Sequence, residues 1–175
     1  MEFRLVYKGR LPAASQNDTR MEDKHRIRCK LHAQLKVLWR EHPSLRSWAK
    51  FDAAEAQGAR SFADLLADNC EFGSLRFLPL VTNKAGLACA LDILFLRRDP
   101  PGSLIVNGGD IDNRLKVLLD SLRVPKVGEL PKKWQPEASE NPLYCLMEDD
   151  SLITEIKVTR ACFKNRFGLR VSTYV

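Results

Sequence analysis

Gly108-Gly109-Asp110-Ile111-Asp112-Asn113-Arg114-Leu115-Lys116-Val117-Leu118-Leu119-Asp120 marks a loop-to-helix junction around which the rest of the chain is read. Asp112 or Asn113 opens the helix, whose apolar stripe is Leu115, Leu118, Leu119 and Leu122. Asp110 and Asp112 stand two apart in extended chain, a spacing that points both carboxylates the same way. Lys116 follows one helical turn after Asp112, and Asp120 one turn after Lys116. Asn113, Lys116 and Asp120 therefore share a polar strip opposite the leucines. The paired glycines let a backbone or a phosphate come close.

Two chemistries suit such a segment. Acids ahead of a helix cap its free amides and sit well at the positive end of its dipole. The same carboxylates are hard oxygen ligands of the kind Mg²⁺ takes, together with waters and substrate phosphate. A second acidic cluster, Glu148-Asp149-Asp150, precedes the last part of the chain. By itself it reads as a polar turn. Two acidic clusters, each at the start of an element and separated by a helix, fit a convergent site better than either fits alone.

Working outward, residues 2–8 alternate as a first strand, with Phe3, Leu5 and Tyr7 on one face. A loop through Leu11-Pro12-Ala13-Ala14-Ser15-Gln16 leads to a helix capped at Asp18 or Thr19 and running to about Arg40. Ile27, Leu31, Leu35 and Leu38 form its apolar stripe. Lys24, Arg26, Arg28, Lys30, Lys36 and Arg40 make its remaining surface basic, either a solvated face or a surface for backbone phosphates. Pro43 is expected to end this helix, and residues 44–69 read as further short helices broken near Gly58. Ser74–Val81 and Leu87–Arg97 read as a hairpin around Thr82–Gly86. Asp92, inside the second of these strands, either joins the site from the sheet's other side or pairs with a basic neighbour. Residues 99–109 read as loop and 124–147 as a Pro- and Lys-bearing insertion. The chain ends as a hairpin of Ile153–Thr159 and Gly168–Val175, turning at Lys164-Asn165-Arg166. The expectation is one α+β domain over residues 1–175: a small mixed sheet with β-hairpins flanked by helices, with insertions at about 44–69 and 124–147.

The chain has 175 residues, 45% hydrophobic and 29% charged, the balance of an ordinary globular domain. No run is apolar and long enough for a bilayer, and the start carries no signal-peptide pattern. Its five cysteines are scattered and never in a CxxC pair, so neither a disulfide framework nor a zinc site is expected. A cytoplasmic location with reduced thiols follows. The net charge of +6 favours a polyanionic partner. Clustered carboxylates on a basic protein repel phosphate unless a cation lies between them, which itself hints at a metal. His25, His32 and His42 lie far from the acids in sequence, which disfavours a histidine-based nuclease.

The segment Asp110-Ile111-Asp112-Asn113-Arg114-Leu115-Lys116-Val117-Leu118-Leu119-Asp120, followed by Asp149-Asp150-Ser151-Leu152-Ile153, resembles the RusA family of Holliday junction resolvases. That family carries Asp-x-Asp-Asn-x-x-Lys-x-x-x-Asp and, later, an Asp-Asp pair near the start of a strand. The opening strand, the loop at residues 11–16, the strand before the aspartates and the two last strands match in order. The resemblance implies a homodimer that nicks two strands of a four-way DNA junction by metal-assisted hydrolysis, leaving 5′-phosphate and 3′-hydroxyl ends. Asp110, Asp112 and Asp150 would hold Mg²⁺ or Mn²⁺, and Lys116 would meet the scissile phosphate or the attacking water. Asp149, Asp120, Asn113 and Asp92 are additional candidates. Lys126, Lys132, Lys133, Arg26, Lys30 and Arg114 are candidate DNA contacts. The chain departs from the family in the length between Asp120 and Asp149 and in the extra helical residues 44–69. Both bear on substrate, because junction shape is read outside the metal site.

Two other readings stand beside it. One is a structure-selective nuclease for flaps, forks or invading DNA, with Trp134 and the insertion's lysines as a stacking wedge or as an anchored surface loop. The other is a non-catalytic nucleic-acid-binding module whose acids only cap. Recombination, repair, a phage life cycle or defence would each accommodate such a protein.

Overall fold

A computed structural model describes residues 1–14, 20–49, 60–97, 111–162 and 168–174. The elements in chain order are β1 (Glu2–Leu5), α1 (Met21–Glu41), α2 (Pro43–Ala49), α3 (Phe62–Asp68), β2 (Glu71–Phe72), β3 (Leu75–Val81), β4 (Ala88–Arg97), α4 (Ile111–Leu122), β5 (Leu143–Met147), β6 (Ile153–Cys162) and β7 (Gly168–Tyr174). Short 3-10 turns occupy Ala138–Glu140 and Asp150–Leu152. This is an α+β arrangement with mixed sheets, as expected. The loop at residues 99–109, Asp110, the caps at Asp18 or Thr19, the break at Gly58 and the turn at residues 164–166 lie outside the described residues.

Neither expected hairpin is present. β3 and β4 are joined by a tight turn, in which Thr82 accepts from Leu87 N at 3.1 Å and Gly86 takes φ +65. The two strands then part into different sheets. One sheet runs β1-β7-β4-β6 and the other β2-β3-β5. The last two strands also do not pair with each other. They flank β4, with β6 parallel to it and β7 antiparallel. The physical reason is β4 itself: Cys89, Leu91, Ile93 and Phe95 make it the most apolar strand of its sheet, and the centre buries them best.

The stretch 124–147 is only partly an insertion, because its end is β5, a run of five buried residues pairing parallel with β3. A continuous apolar run such as Leu143-Tyr144-Cys145-Leu146-Met147 is the mark of a strand covered on both faces. Pro43 does end α1, yet it also opens α2, because a proline needs no amide partner in a first turn. α3 starts on a reciprocal cap: Ser61 Oγ accepts from Asp64 N, and Ser61 N donates to Asp64 Oδ2, both at 3.0 Å.

α1 begins at Arg20 in a left-handed conformation with no side-chain cap. A missing cap costs about 1 kcal/mol. Ile27, Leu31, Leu35 and Trp39 are all buried, at roughly 1.5–3 kcal/mol each, so packing holds the helix in place of a cap. They share one core with Leu91 and Ile93 of β4, Tyr144 and Leu146 of β5, and Val117, Leu118 and Leu122 of α4. Cys70, Phe77, Val124, Leu143 and Cys145 form a second, smaller one. His32 ties α1 to β5, its Nδ1 accepting from Tyr144 N at 2.9 Å.

Candidate metal and phosphate site

The start of α4 is braced by the N-terminal loop. Ala14 N donates to Asn113 O at 3.1 Å, and Arg114 Nη1 donates to Leu11 O. Leu11 and Pro12 are buried, which keeps this loop against the helix. Asp112 and Lys116, one turn apart, are both exposed. Asp112 Oδ1 accepts the amide of Asn113 at 2.8 Å, as a residue at a helix start does. Among the described residues, neither Asp112 nor Asp150 has a lysine or arginine within ion-pair distance.

The second cluster divides its work among its three acids. Glu148 Oε2 accepts Asn83 N at 3.1 Å, and Glu148 N donates to Val81 O at 2.9 Å, so this residue pins the β3–β4 turn. Asp149 Oδ1 accepts Ser151 N at 3.0 Å and caps the 3-10 turn. That backbone hydrogen bond, helped by Ser151's hydroxyl, the Asp150 side chain and the charge of Lys126, holds the Asp149 carboxyl below the ordinary carboxylate range. Asp150 remains exposed at the head of β6.

Asp120 belongs to the framework. It is 12% exposed, with Lys24 Nζ at 2.8 Å and Arg123 Nη2 at 2.9 Å. Burial alone would raise its pKa, but the hydrogen bonds and charges of Lys24 and Arg123 outweigh that, and the net shift is downward. Arg123 continues the network to Glu129 at 2.9 Å. Asp92 lies on the sheet face away from the core, with a basic neighbour, Lys157, whose Nζ is 3.9 Å away.

The contacts among described residues do not join the two clusters. Val124 N donates to Met147 O at 3.0 Å, which sets the approach to Asp149 and Asp150 beside the C-terminal end of α4. Asp112 opens the other end, ten residues and roughly 15 Å back along the helix axis from Leu122. No three His, Cys, Asp or Glu side chains among the described residues are grouped to hold a metal ion. The donor chemistry of Asp112 and Asp150, hard carboxylate oxygens open to solvent and unpaired with cations among the described residues, suits Mg²⁺.

The candidate DNA contacts separate in the same way. Lys126, Lys132 and Lys133 are exposed. Lys30 Nζ donates to Lys8 O at 3.0 Å and lies 5.3 Å from the Tyr7 ring centroid. Arg26 is paired with Asp23, and Arg114 with the N-terminal loop. Trp134 is an anchor and not a free wedge: it stands edge-on to His25, ring centroids 4.3 Å apart. Burial, above all, pulls the His25 pKa down to about 4, so this histidine is neutral and structural. Among the described residues no helix is long and apolar enough to cross a membrane. No protein-family model, no curated protein and no solved structure matches the chain.

Proposed function

We propose that this chain is a Mg²⁺-dependent endodeoxyribonuclease acting on branched DNA, of the kind its aspartate–lysine segment resembles. One observation carries the reading: among the described residues, the acids that the resemblance assigns to the metal, Asp112 and Asp150, are not the acids that the fold pairs. Asp120, Asp149 and Glu148 each have a structural partner. Asp112 and Asp150 face solvent with no cation beside them among the described residues, and Lys116 is exposed one turn from Asp112. A carboxylate selected for folding alone gains by pairing, as Asp120 does.

In this reading the ion would sit between Asp110, Asp112 and Asp150, as the resemblance implies, although no contact among the described residues joins the two clusters; when bound it would supply an activated water and neutralise charge on the phosphate. Lys116 offers its ammonium to the scissile phosphate, where charge grows as the bond breaks. Lys126, Lys132 and Lys133 hold the flanking backbone. Paired cuts across a four-way junction require two such sites related by a two-fold axis, so the reading includes a homodimer.

A binding module without catalysis is the second reading, and the capping bond from Asp112 to the Asn113 amide favours it. One assay separates them. Purified protein is incubated with four-way, forked, flap and linear DNA, with and without Mg²⁺, alongside Asp112→Asn. Cleavage of branched DNA that needs both Mg²⁺ and Asp112 supports the nuclease. Binding that ignores Mg²⁺, with no cleavage of any shape, supports the module.

A further inference from the structure

The two edges of the four-stranded sheet are finished very differently. β1 has four residues, and just past it Gln34 caps Val6, accepting from its N–H at 2.9 Å and donating to its C=O at 2.8 Å. Short strands and side-chain covers are how proteins stop an edge from recruiting another strand. β6, the other edge, has ten residues, and no described strand pairs with its outer side. Residues 154–159 are exposed throughout. Ile156 and Val158 are paired in register with Leu91 and Ile93, so they lie on the core-facing side of the sheet. They are nonetheless 40% and 37% exposed.

The sequence of this edge is complementary to itself. We propose that β6 is where two copies of this chain join, antiparallel and centred on Ile156, making one continuous sheet across a two-fold axis. That register sets Glu155 opposite Lys157 of the second copy, twice, and Thr154 opposite Val158 on the other face. Sliding by two residues one way sets Glu155 opposite Glu155, and the other way Lys157 opposite Lys157. Like charges directly opposite each other destabilise a strand pair, so the charges select the register. Lys157 is free to serve, being 67% exposed and only loosely paired with Asp92 at 3.9 Å. Ile156 and Val158 lose their exposure in the same step, and the main-chain groups of the open edge find partners.

The interface is argued from this edge alone, and it would supply the two-fold axis that the nuclease reading calls for; a monomer that still cuts branched DNA would sink the interface and leave the metal chemistry standing. Its test is association measured by sedimentation, with circular dichroism confirming that each variant is folded. Wild type should dimerise at micromolar concentration. Glu155→Lys and Lys157→Glu should each raise the dimer dissociation constant by roughly tenfold or more, since each sets like charges opposite at two places. The double swap E155K/K157E should restore wild-type association. Ile156→Cys should cross-link across the axis under mild oxidation, whereas the wild type, under the same conditions, should not. A monomer at these concentrations overturns the proposal. So does a dimer indifferent to the single charge reversals, or one in which Ile156→Cys does not cross-link.

Discussion

Asp120→Ala separates framework from site most sharply. The substitution removes a carboxylate that holds Lys24 at 2.8 Å and Arg123 at 2.9 Å. Arg123 keeps Glu129 and the Val124 carbonyl, so its loss is partial. Lys24, whose side chain is 13% exposed, loses its ion-pair partner. Breaking a fully buried pair costs about 3–5 kcal/mol. About an eighth of each side chain still reaches water here, which brings the expected loss to about 2–3 kcal/mol. For a chain of this length that is a fall in melting temperature of about 5–10 °C. The folded pKa of Asp120 is depressed, so its contribution is present above the unfolded value near 4 and is lost as pH falls through the lower folded value. Wild type and variant should thus differ fully at pH 7 and converge in strong acid. The assay is thermal melting followed by circular dichroism at several pH values, with DNA cleavage measured on the folded fraction. A variant that melts like wild type but has lost cleavage would return Asp120 to the site and refute this reasoning.

Asp112→Asn and Asp150→Asn should abolish cleavage while leaving the melting temperature within a few degrees, because neither carboxylate has a cation partner among the described residues; wild-type-like cutting by either variant removes that residue from the site. Lys116→Ala should depress the single-turnover rate strongly and change DNA affinity little, as measured by rapid-quench cleavage and a binding titration. Replacing Lys132 and Lys133 with alanine should weaken binding to all DNA shapes and reduce the salt dependence, by roughly one unit of slope for each phosphate no longer neutralised, with the saturated rate preserved.

Local pattern made the helices and the strands of this chain legible, and pairing was what it hid. The stripe Ile27, Leu31, Leu35 set α1, and the leucines after Asp112 set α4, because period 3.6 needs no knowledge of the partner surface. Both hairpin expectations failed for one reason. A strand's sequence records which face is buried and says little about which neighbour supplies the hydrogen bonds. β3 and β4 are separated by a good turn, yet β5 and β7 compete for them from far along the chain and win. β5 was hidden inside a Pro- and Lys-rich stretch, although five consecutive apolar residues were its signal. At the candidate site, the split between Asp112 and Asp120 was not legible either. Both lie on the polar strip of one helix, and only the approach of Lys24 from α1 assigns Asp120 to the framework.

The basic residues were no easier to sort from sequence, for a similar reason. Six basic residues along α1 suggest a cationic face, but a cation's position in sequence does not say what neutralises it. Arg28 is 1% exposed, its Nη2 donating to Asp120 O at 2.9 Å, and burial is the main cause of its lowered pKa. Lys24 is taken by Asp120, Lys36 by the Ser139 carbonyl at 2.8 Å, and Lys30 by the Lys8 carbonyl. A lysine already donating inside the fold must give up that bond to meet a phosphate, which reduces what the new interaction contributes. Lys132 and Lys133 carry no such cost: both are exposed, and neither has an ion-pair partner among the described residues. The stretch that carries them is fixed at its base by Trp134 against His25 and by the Arg123–Glu129 pair. A basic segment anchored at both ends loses little chain entropy when it meets a polyanion. In the proposed reading, the described cations that meet DNA at least cost are therefore Lys126, Lys132 and Lys133, ahead of those of α1 that already donate inside the fold.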